Sequence, residues 1–145
     1  MLHIITHLED ALLELIKDDP VRPEIPTQDR VNDFSRVYIL IDELDAKPRA
    51  VVCVKFQNSI PQSVDELATT LTDFTHAIFY TIWSYSGGAG QQLIREAKQW
   101  IEANIPTVNT FVTLSPPTEM ARKFHLKNGA LIYRENTTTV NYQYA

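Results

Sequence analysis

A short glycine-bearing segment is the part of the sequence best suited to binding an anion. It lies between an apolar run and an amphipathic segment, and it comprises Tyr85, Ser86, Gly87, Gly88, Ala89, Gly90, Gln91 and Gln92. Glycine lets the backbone approach a bulky ligand, and a helix start offers unpaired N–H groups and a positive dipole end. The segment lacks the endings of a P-loop and of a dinucleotide fingerprint. It predicts either a pyrophosphate site or a plain flexible turn.

The flanking elements would hold this loop in place. Ala77–Trp83 is continuously apolar and predicts a buried strand. Gln91–Asn104 has helical periodicity, with an inward face formed by Leu93, Ala97, Trp100 and Ile101. Thr110–Leu114 predicts the next strand. A strand, a helix and a second strand in this order predict a right-handed parallel crossover.

The remaining elements predict a single α/β (α+β) domain. Residues 1–36 would form an N-terminal helix and linker, and residues 37–145 a core with a mixed, mostly antiparallel sheet flanked by helices. The predicted elements are a helix Leu2–Asp18, a hairpin Val37–Ile41 with Ala50–Phe56, a helix Ser63–Leu71 with a Ser63–Glu66 capping box, a helix Thr118–Leu126, and a hairpin Leu131–Arg134 with Thr137–Tyr144.

The spacing Gly88-x-Gly90-x-x-Leu93, after a strand and at the start of a helix, resembles the coenzyme A motif of GNAT acyltransferases. That family usually begins the loop with Arg or Gln, where this sequence has Tyr85. The resemblance implies a coenzyme A thioester, as substrate or donor, with its pyrophosphate on the loop. It also implies that the two parallel strands splay apart to admit the pantetheine arm.

Three further motifs resemble malonyl-CoA decarboxylase, whose catalytic domain is a GNAT-fold variant. They are Ala77–Tyr80, Thr113–Pro116 and Phe124–Ala130, and the resemblance runs from about Val37 to Glu135. The decarboxylases carry an additional N-terminal helical domain that this sequence lacks, and a long insertion where only nine residues separate Ser115 from His125. Where the decarboxylases have Ile-Pro-Gly-Phe after the Ser-Pro pair, this sequence has different residues. In the loop it has Gly88 at a position that is often acidic in that family.

The decarboxylase resemblance assigns a catalytic pair to Ser115 and His125. Loss of carbon dioxide from a malonyl thioester leaves an enolate, which needs an oxyanion stabiliser and a proton donor. Ser115 would hydrogen-bond the carboxylate or thioester oxygen, and His125, with a pKa near the working pH, would protonate the carbanion. Without the resemblance, Ser115 is equally a turn residue before two prolines, and His125 a favourable residue at a helix end.

The end of the first parallel strand would form the acyl pocket, with backbone amides as the oxyanion hole. Its residues are Tyr80, Thr81, Ile82 and Trp83. The aromatic side chains are equally typical of a buried core.

The composition limits which classes of partner the protein can bind and indicates where in the cell it is found. The net charge of −5 without a basic cluster argues against nucleic acid, and no apolar run is long enough for a membrane helix. The lone Cys53 and the absence of a secretory start predict a cytoplasmic protein. His3 and His7 have no third ligand, so we expect no metal; oligomeric state is left open.

Three functions fit these features: a decarboxylase of malonyl-CoA or a related acyl-CoA, a GNAT-type N-acyltransferase using acetyl-CoA, and a non-catalytic acyl-CoA sensor. An acyltransferase needs a base and often a tyrosine acid. No glutamate lies on the Ala77–Trp83 strand and no tyrosine stands at His125, which favours the decarboxylase.

Overall fold

A seven-stranded mixed sheet carries both α-helices on one face. The computed structural model describes residues 1–67 and 73–145. In chain order the elements are β1 (Leu2–Ile5), β2 (Ser35–Ile41), β3 (Pro48–Gln57), β4 (His76–Ser84), α1 (Ala89–Asn104), β5 (Thr110–Thr113), α2 (Glu119–Lys127), β6 (Leu131–Glu135) and β7 (Val140–Tyr144). The strands lie in the order β1-β2-β3-β4-β5-β7-β6. Among the strands of the described ranges, β4 and β5 alone pair in parallel, which confirms the predicted fold class.

The central strands are continuously apolar because both faces of the sheet are covered. On β2, Tyr38 and Leu40 face the helices, while Val37 and Ile39 face the N-terminal segment. Helix α1 packs on the first face through Leu93, Ala97 and Ile101, all fully buried, as the periodicity predicts. The 3-10 helix Ala11–Asp18 and the loops after it cover the second face.

The predicted helix Leu2–Asp18 is wrong. Leu2–Ile5 is instead an edge strand that pairs antiparallel with β2, Ile5 opposite Val37. Isoleucine and threonine favour a strand where a sheet edge supplies backbone partners. The 3-10 helix begins after Asp10, whose carboxylate accepts a hydrogen bond from the Leu12 amide at 2.9 Å. His3 and His7 therefore do not share a helical face.

Two other elements differ from their predicted form. The predicted helix Ser63–Leu71 is a 3-10 turn over Val64–Glu66, and residues 68–71 lie outside the described part of the chain. Ser63 makes no capping hydrogen bond, and Glu66 accepts one from the Gln62 amide at 3.1 Å. Strand β7 begins at Val140 rather than at residue 137. None of the helices in the described ranges is long and apolar enough to cross a bilayer.

Candidate active site

The site begins where the two parallel strands part. Pairing of β4 with β5 ends at Phe79 opposite Thr113, and the Leu114 amide still donates to the Phe79 carbonyl at 3.0 Å. Ser115 then turns to the other side and exchanges both backbone hydrogen bonds with Val140, at 3.0 and 2.9 Å. Strand β4 continues to Ser84 without β5 beside it. The predicted splayed pair is confirmed.

A bulge in β4 lies at the point of divergence. Cys53 of β3 pairs with Thr81 of β4, and the next residue, Val54, pairs with Phe79. Tyr80 is therefore an extra residue in β4 that is opposite no residue of β3. A bulge increases the local twist and re-aims the backbone that follows it. It thus helps to turn the end of β4 away from β5 and exposes backbone groups along the gap.

The gap between the strands is a cleft of about 350 Å³. Its walls come from the end of β4, the residues after β5, the start of α1, helix α2 and the N-terminal segment. The lining residues that bear on the chemistry are Tyr80, Thr81, Ile82, Trp83, Gly90, Ser115 and His125. The cleft is mostly apolar, with a few polar groups, which is typical of a small-molecule site.

Ser115 and His125 meet in this cleft. Ser115 Oγ lies 3.2 Å from His125 Nε2, and both side chains are about 4% exposed. Helix α2 brings the histidine over the end of β5. Thr118 caps its start by accepting from the Ala121 amide at 3.2 Å, and Gly129, with a φ of 95°, lets the chain turn back into β6.

The pair belongs to a longer hydrogen-bonded chain. Ser115 Oγ donates to Thr113 Oγ1 at 2.7 Å, and the Tyr144 hydroxyl lies 2.7 Å from His125 Nδ1. Since the Ser115 proton goes to Thr113, His125 Nε2–H donates to Ser115 and Nδ1 accepts from Tyr144. The imidazole also stacks on the Tyr142 ring, with centroids 4.9 Å apart. Every polar atom of the imidazole is thus fixed by a neighbour.

Burial changes the proton affinity of this group. Desolvation lowers the pKa of His125 to about 4. The expectation of a pKa near the working pH is therefore wrong, because in residues 1–67 and 73–145 no carboxylate contacts the ring and the low-dielectric surroundings disfavour its charged form. Burial also raises the pKa of the Tyr144 hydroxyl, so the Tyr144–His125 hydrogen bond joins two neutral groups at pH 7.

The glycine loop opens α1 as the sequence predicts, two residues earlier than expected. Gly88 is the N-cap with a φ of 78°, a left-handed conformation that suits glycine, and no side chain caps the helix. The first turn contains no acidic residue, so nothing there neutralises the positive end of the dipole. Arg49 is nearby, with its Nε donating to Ser86 Oγ at 3.2 Å. The arrangement can hold an anion.

The glycines of the loop differ in their roles. A Cβ on Gly90 would come within 3.2 Å of the Phe124 ring, so this glycine serves the packing of α2 on α1. A Cβ on Gly87 would have nothing within 4 Å. Gly87 is therefore the better probe of a ligand that must approach the backbone.

The other predicted binding residues divide between the loop and the core. Ser86, Gly87 and Gly88 lie exposed before α1, whereas Ala89 and Gly90 are buried in its first turn and Gln91 and Gln92 follow them; the Gln92 side chain donates to Glu96 at 2.7 Å. Tyr85 points away from the helix start. Its hydroxyl donates to Asp18 at 2.9 Å and accepts from Trp83 Nε1 at 3.0 Å.

The predicted acyl-pocket residues all line the cleft, but their side chains divide between the two faces of the sheet. Tyr80 and Trp83 pack in the core under the N-terminal segment, and Ile82 packs toward the helices. Thr81 Oγ1 donates to Asp19 at 2.8 Å. The β4 backbone and Ile82 are thus the parts best placed to face a ligand between the helices and the gap.

Sequence reasoning missed Thr113, Tyr144, Arg49 and the N-terminal residues that line the cleft. The strand pairing of β5 with β7 brings Tyr144 opposite Phe111, and that of β3 with β4 brings Arg49 beside Tyr85. Tyr144 and Arg49 are identified only by the pairing of strands distant in sequence, and the N-terminal residues only by the path of their segment over the sheet. Thr113 lies two residues before Ser115, so the alternation of an extended chain could have identified it. Within the described ranges, no three His, Cys, Asp or Glu side chains cluster to hold a metal.

The comparisons with known proteins agree on the fold. No protein-family model and no curated protein matches the sequence. Among solved structures, malonyl-CoA decarboxylase from Agrobacterium vitis superposes with a TM-score of 0.83 at 20% identity, over 99% of this chain and 60% of the decarboxylase. The enzyme from Rhodopseudomonas palustris gives 0.80 at 20% identity, over 100% and 59%. This chain thus spans about 60% of the length of these decarboxylases.

An acetyltransferase is similar over nearly its whole length. Campylobacter jejuni N-acetyltransferase PseH in complex with acetyl coenzyme A superposes with a TM-score of 0.64 at 15% identity, over 99% of this chain and 98% of the acetyltransferase. The chain therefore has a GNAT-like fold, the fold that these acetyltransferases and decarboxylases share.

Proposed function

We propose that this domain binds a coenzyme A thioester in the cleft and decarboxylates malonyl-CoA or a related acyl-CoA. The observation that carries the proposal is the buried Ser115–His125 pair, 3.2 Å apart, at the gap between the splayed strands. Support for the ligand comes from the start of α1, which has no side-chain cap and no carboxylate in its first turn. The pyrophosphate lies there, and the pantetheine arm runs between β4 and β5.

The reaction needs only the thioester and a proton. The bond between the α-carbon and the carboxylate breaks, carbon dioxide leaves, and the electron pair is delocalised into the thioester carbonyl as an enolate. Amides of the bulged β4 segment stabilise the oxyanion, and the Ser115 hydroxyl does so by turning its proton from Thr113 to the ligand. His125 then delivers a proton to the α-carbon, giving acetyl-CoA from malonyl-CoA, and takes another from solvent.

The low pKa of His125 is compatible with this role once an acyl carboxylate is bound. A negative charge entering a low-dielectric cleft favours the charged form of a neighbouring imidazole and raises its pKa. Protonation of His125 is thus coupled to substrate binding. Tyr144, which donates to Nδ1 at 2.7 Å in the neutral ring, holds Nε2–H toward Ser115 and the cleft.

The direct test is to incubate the pure protein with malonyl-CoA, with and without a panel of amines, and to identify products by mass. Acetyl-CoA and carbon dioxide without an amine support the proposal. Acylated amine instead establishes an N-acyltransferase, the function favoured by the superposition on PseH with acetyl coenzyme A. Binding without turnover establishes a sensor.

Variants of the pair test whether the two residues act together. Ser115→Ala and His125→Ala should each lower decarboxylation by about 10²–10⁴-fold, the range for general acid–base groups. The double variant should lose little more than the worse single one, since groups acting as a unit are not additive. His125→Ala should keep its coenzyme A affinity within about twofold, because the proposed role is proton delivery. Fully additive losses would show independent roles.

A further inference from the structure

Residues 19–22 of the N-terminal segment bridge the gap between the splayed strands. Asp19 accepts a hydrogen bond from Thr81 Oγ1 of β4 at 2.8 Å, and Arg22 donates from a guanidinium nitrogen to the Leu114 carbonyl, just past β5, at 3.0 Å. Pro20 and Val21, between them, line the cleft. We call residues 19–22 the strap. It closes the cleft on the side of the sheet opposite the helices.

The Arg22 guanidinium satisfies a carbonyl that the missing strand pairing leaves open. In an extended chain the N–H and C=O of one residue point to the same edge. The Leu114 amide points at Phe79 of β4, whereas Ser115 bonds to Val140 on the other edge. The Leu114 carbonyl therefore faces the gap, and Arg22 satisfies it there. A cation thus lies at the Leu114 carbonyl, beside Pro20 and Val21 of the cleft wall.

The charges near Arg22 that are removed from solvent do not balance. Asp19 is the buried carboxylate of this cluster, and it pairs with Arg30 at 2.6 Å, both side chains being fully buried. Arg30 also donates to the Arg22 carbonyl at 2.6 Å. The buried Asp19 thus faces both the buried Arg30 and the half-buried Arg22, and Glu24, whose charge acts on Arg22 more strongly than that of Asp19, is exposed.

One nitrogen of the Arg22 guanidinium also has an unsatisfied hydrogen bond within the described residues. Arg22 Nε is buried and has no hydrogen-bond partner in residues 1–67 and 73–145. Burial also lowers the pKa of Arg22, which shows that its charge is incompletely solvated. A buried donor without an acceptor costs free energy, and a carboxylate is the acceptor that a guanidinium matches best.

We propose that Arg22 binds the free carboxylate of the acyl group, so that the cleft selects acyl-CoA thioesters of dicarboxylic acids. This inference rests on the proposed binding of a coenzyme A thioester. A thioester that enters from the α1 side and passes between β4 and β5 directs its far end toward the strap. Ser115 follows Leu114, so a malonyl group of three carbons can place its carboxylate near Arg22 and its α-carbon near Ser115 and His125.

The inferred role of Arg22 is recognition. Decarboxylation moves charge from the carboxylate to the thioester, so a cation at the carboxylate favours the ground state at least as much as the transition state. Loss of Arg22 should therefore raise KM and leave kcat unchanged or slightly increased. A purely structural role for Arg22 would weaken all coenzyme A esters alike.

The test compares two ligands that differ only in charge. Malonyl-CoA and malonamyl-CoA, in which a carboxamide replaces the carboxylate, are titrated calorimetrically into a His125→Ala protein, which prevents turnover. With Arg22 present, malonyl-CoA should bind at least about tenfold more tightly, since hydrogen bonds between charged groups are strong. Arg22→Met should reduce the ratio to about one and leave malonamyl-CoA within about twofold. Arg22→Lys, which keeps the charge without the planar fork, should retain part of the preference.

Each outcome separates this inference from the proposed function. Equal affinities for the two ligands with Arg22 present would overturn the inference, even if Arg22→Met does not fold. A preference that survives in Arg22→Met would overturn it too. If neither ester binds, both proposals fail. If the preference depends on Arg22 but the protein with His125 intact releases no carbon dioxide, the inference stands and decarboxylation fails.

Discussion

His125 is held neutral by its surroundings, and this has a consequence for stability. Its pKa is lowered to about 4 by burial, from an ordinary value of 6.5, and its neighbours Ser115, Tyr142 and Tyr144 are all uncharged partners. The unfolded chain regains the ordinary pKa. Between about pH 6.5 and pH 4 the unfolded state thus binds more protons, so the folded state loses stability as the pH falls through that window.

This pH dependence is measurable by urea unfolding at pH 7.5 and pH 4.5. His125 should account for a loss of about 2.5 kcal/mol between these values. A His125→Gln variant should lose less than wild type by roughly that amount, because glutamine does not titrate. His7→Gln, which replaces an exposed histidine, should behave like wild type. The same loss in wild type and His125→Gln would contradict the assignment.

At the scale of elements, coenzyme A binding by the glycine loop and α1 can be tested separately from the Ser115–His125 pair. Gly87→Ala adds a methyl group where the free protein has open space and no left-handed backbone. Its free energy of unfolding should stay within about 0.5 kcal/mol of wild type. Its affinity for coenzyme A should fall roughly tenfold by calorimetry, because a pyrophosphate on the loop amides requires close approach.

Gly90→Ala is the matched comparison for Gly87→Ala. Its Cβ would meet the Phe124 ring at 3.2 Å, so Phe124 and α2 must shift. We expect a destabilisation of roughly 1–3 kcal/mol, as for overpacking, measured by the same urea unfolding. Unchanged coenzyme A binding in a folded Gly87→Ala protein would place the pyrophosphate elsewhere.

The elements show why some of the fold could be predicted and some could not. Strands β2 to β5 and helix α1 have strong local patterns, so β-branched runs and the Leu93–Ala97–Ile101 stripe identify them. The N-terminal segment misled because Ile4, Leu8 and Leu12 repeat at helical spacing. Leu8 is 51% exposed, while Ile5 is fully buried against a strand far along the chain. A sheet edge that offers hydrogen bonds outweighed a weak helical periodicity.

The candidate site follows the same division. Motifs identified Ser115 and His125, which lie ten residues apart. Tyr144 lies 19 residues along the chain from its partner His125, and Arg22 lies 92 residues from its partner Leu114. Their positions depend on strand pairing and on the path of the strap over the sheet. No local pattern encodes either.

At the scale of the whole molecule, the buried Asp19–Arg30 pair joins the N-terminal segment to the sheet. Arg30 donates to Asp19 at 2.6 Å, to the Ile25 carbonyl at 3.1 and 3.0 Å, and to Cys53 Sγ at 3.6 Å. Asp19 also accepts from Thr81. One carboxylate thus links the strap, the β4 edge and the core under the cleft, so the stability of the domain and the proposed recognition of the acyl carboxylate depend on the same contact.

Replacing that carboxylate should destabilise the whole domain. Asp19→Asn keeps the size of the side chain but leaves the Arg30 charge buried without a counter-ion, and removing one partner of a buried pair costs about 3–5 kcal/mol. Urea unfolding at pH 7 measures the loss. Glu102→Gln serves as the control, because its pair with Lys98, at 3.1 Å, is an exposed one between successive helical turns, worth at most about 0.5 kcal/mol. A loss below about 1 kcal/mol in Asp19→Asn would show that the strap does not depend on this pair.

In a variant that remains folded, the strap should also lose its fixed position, so the preference for malonyl-CoA over malonamyl-CoA should fall together with the stability.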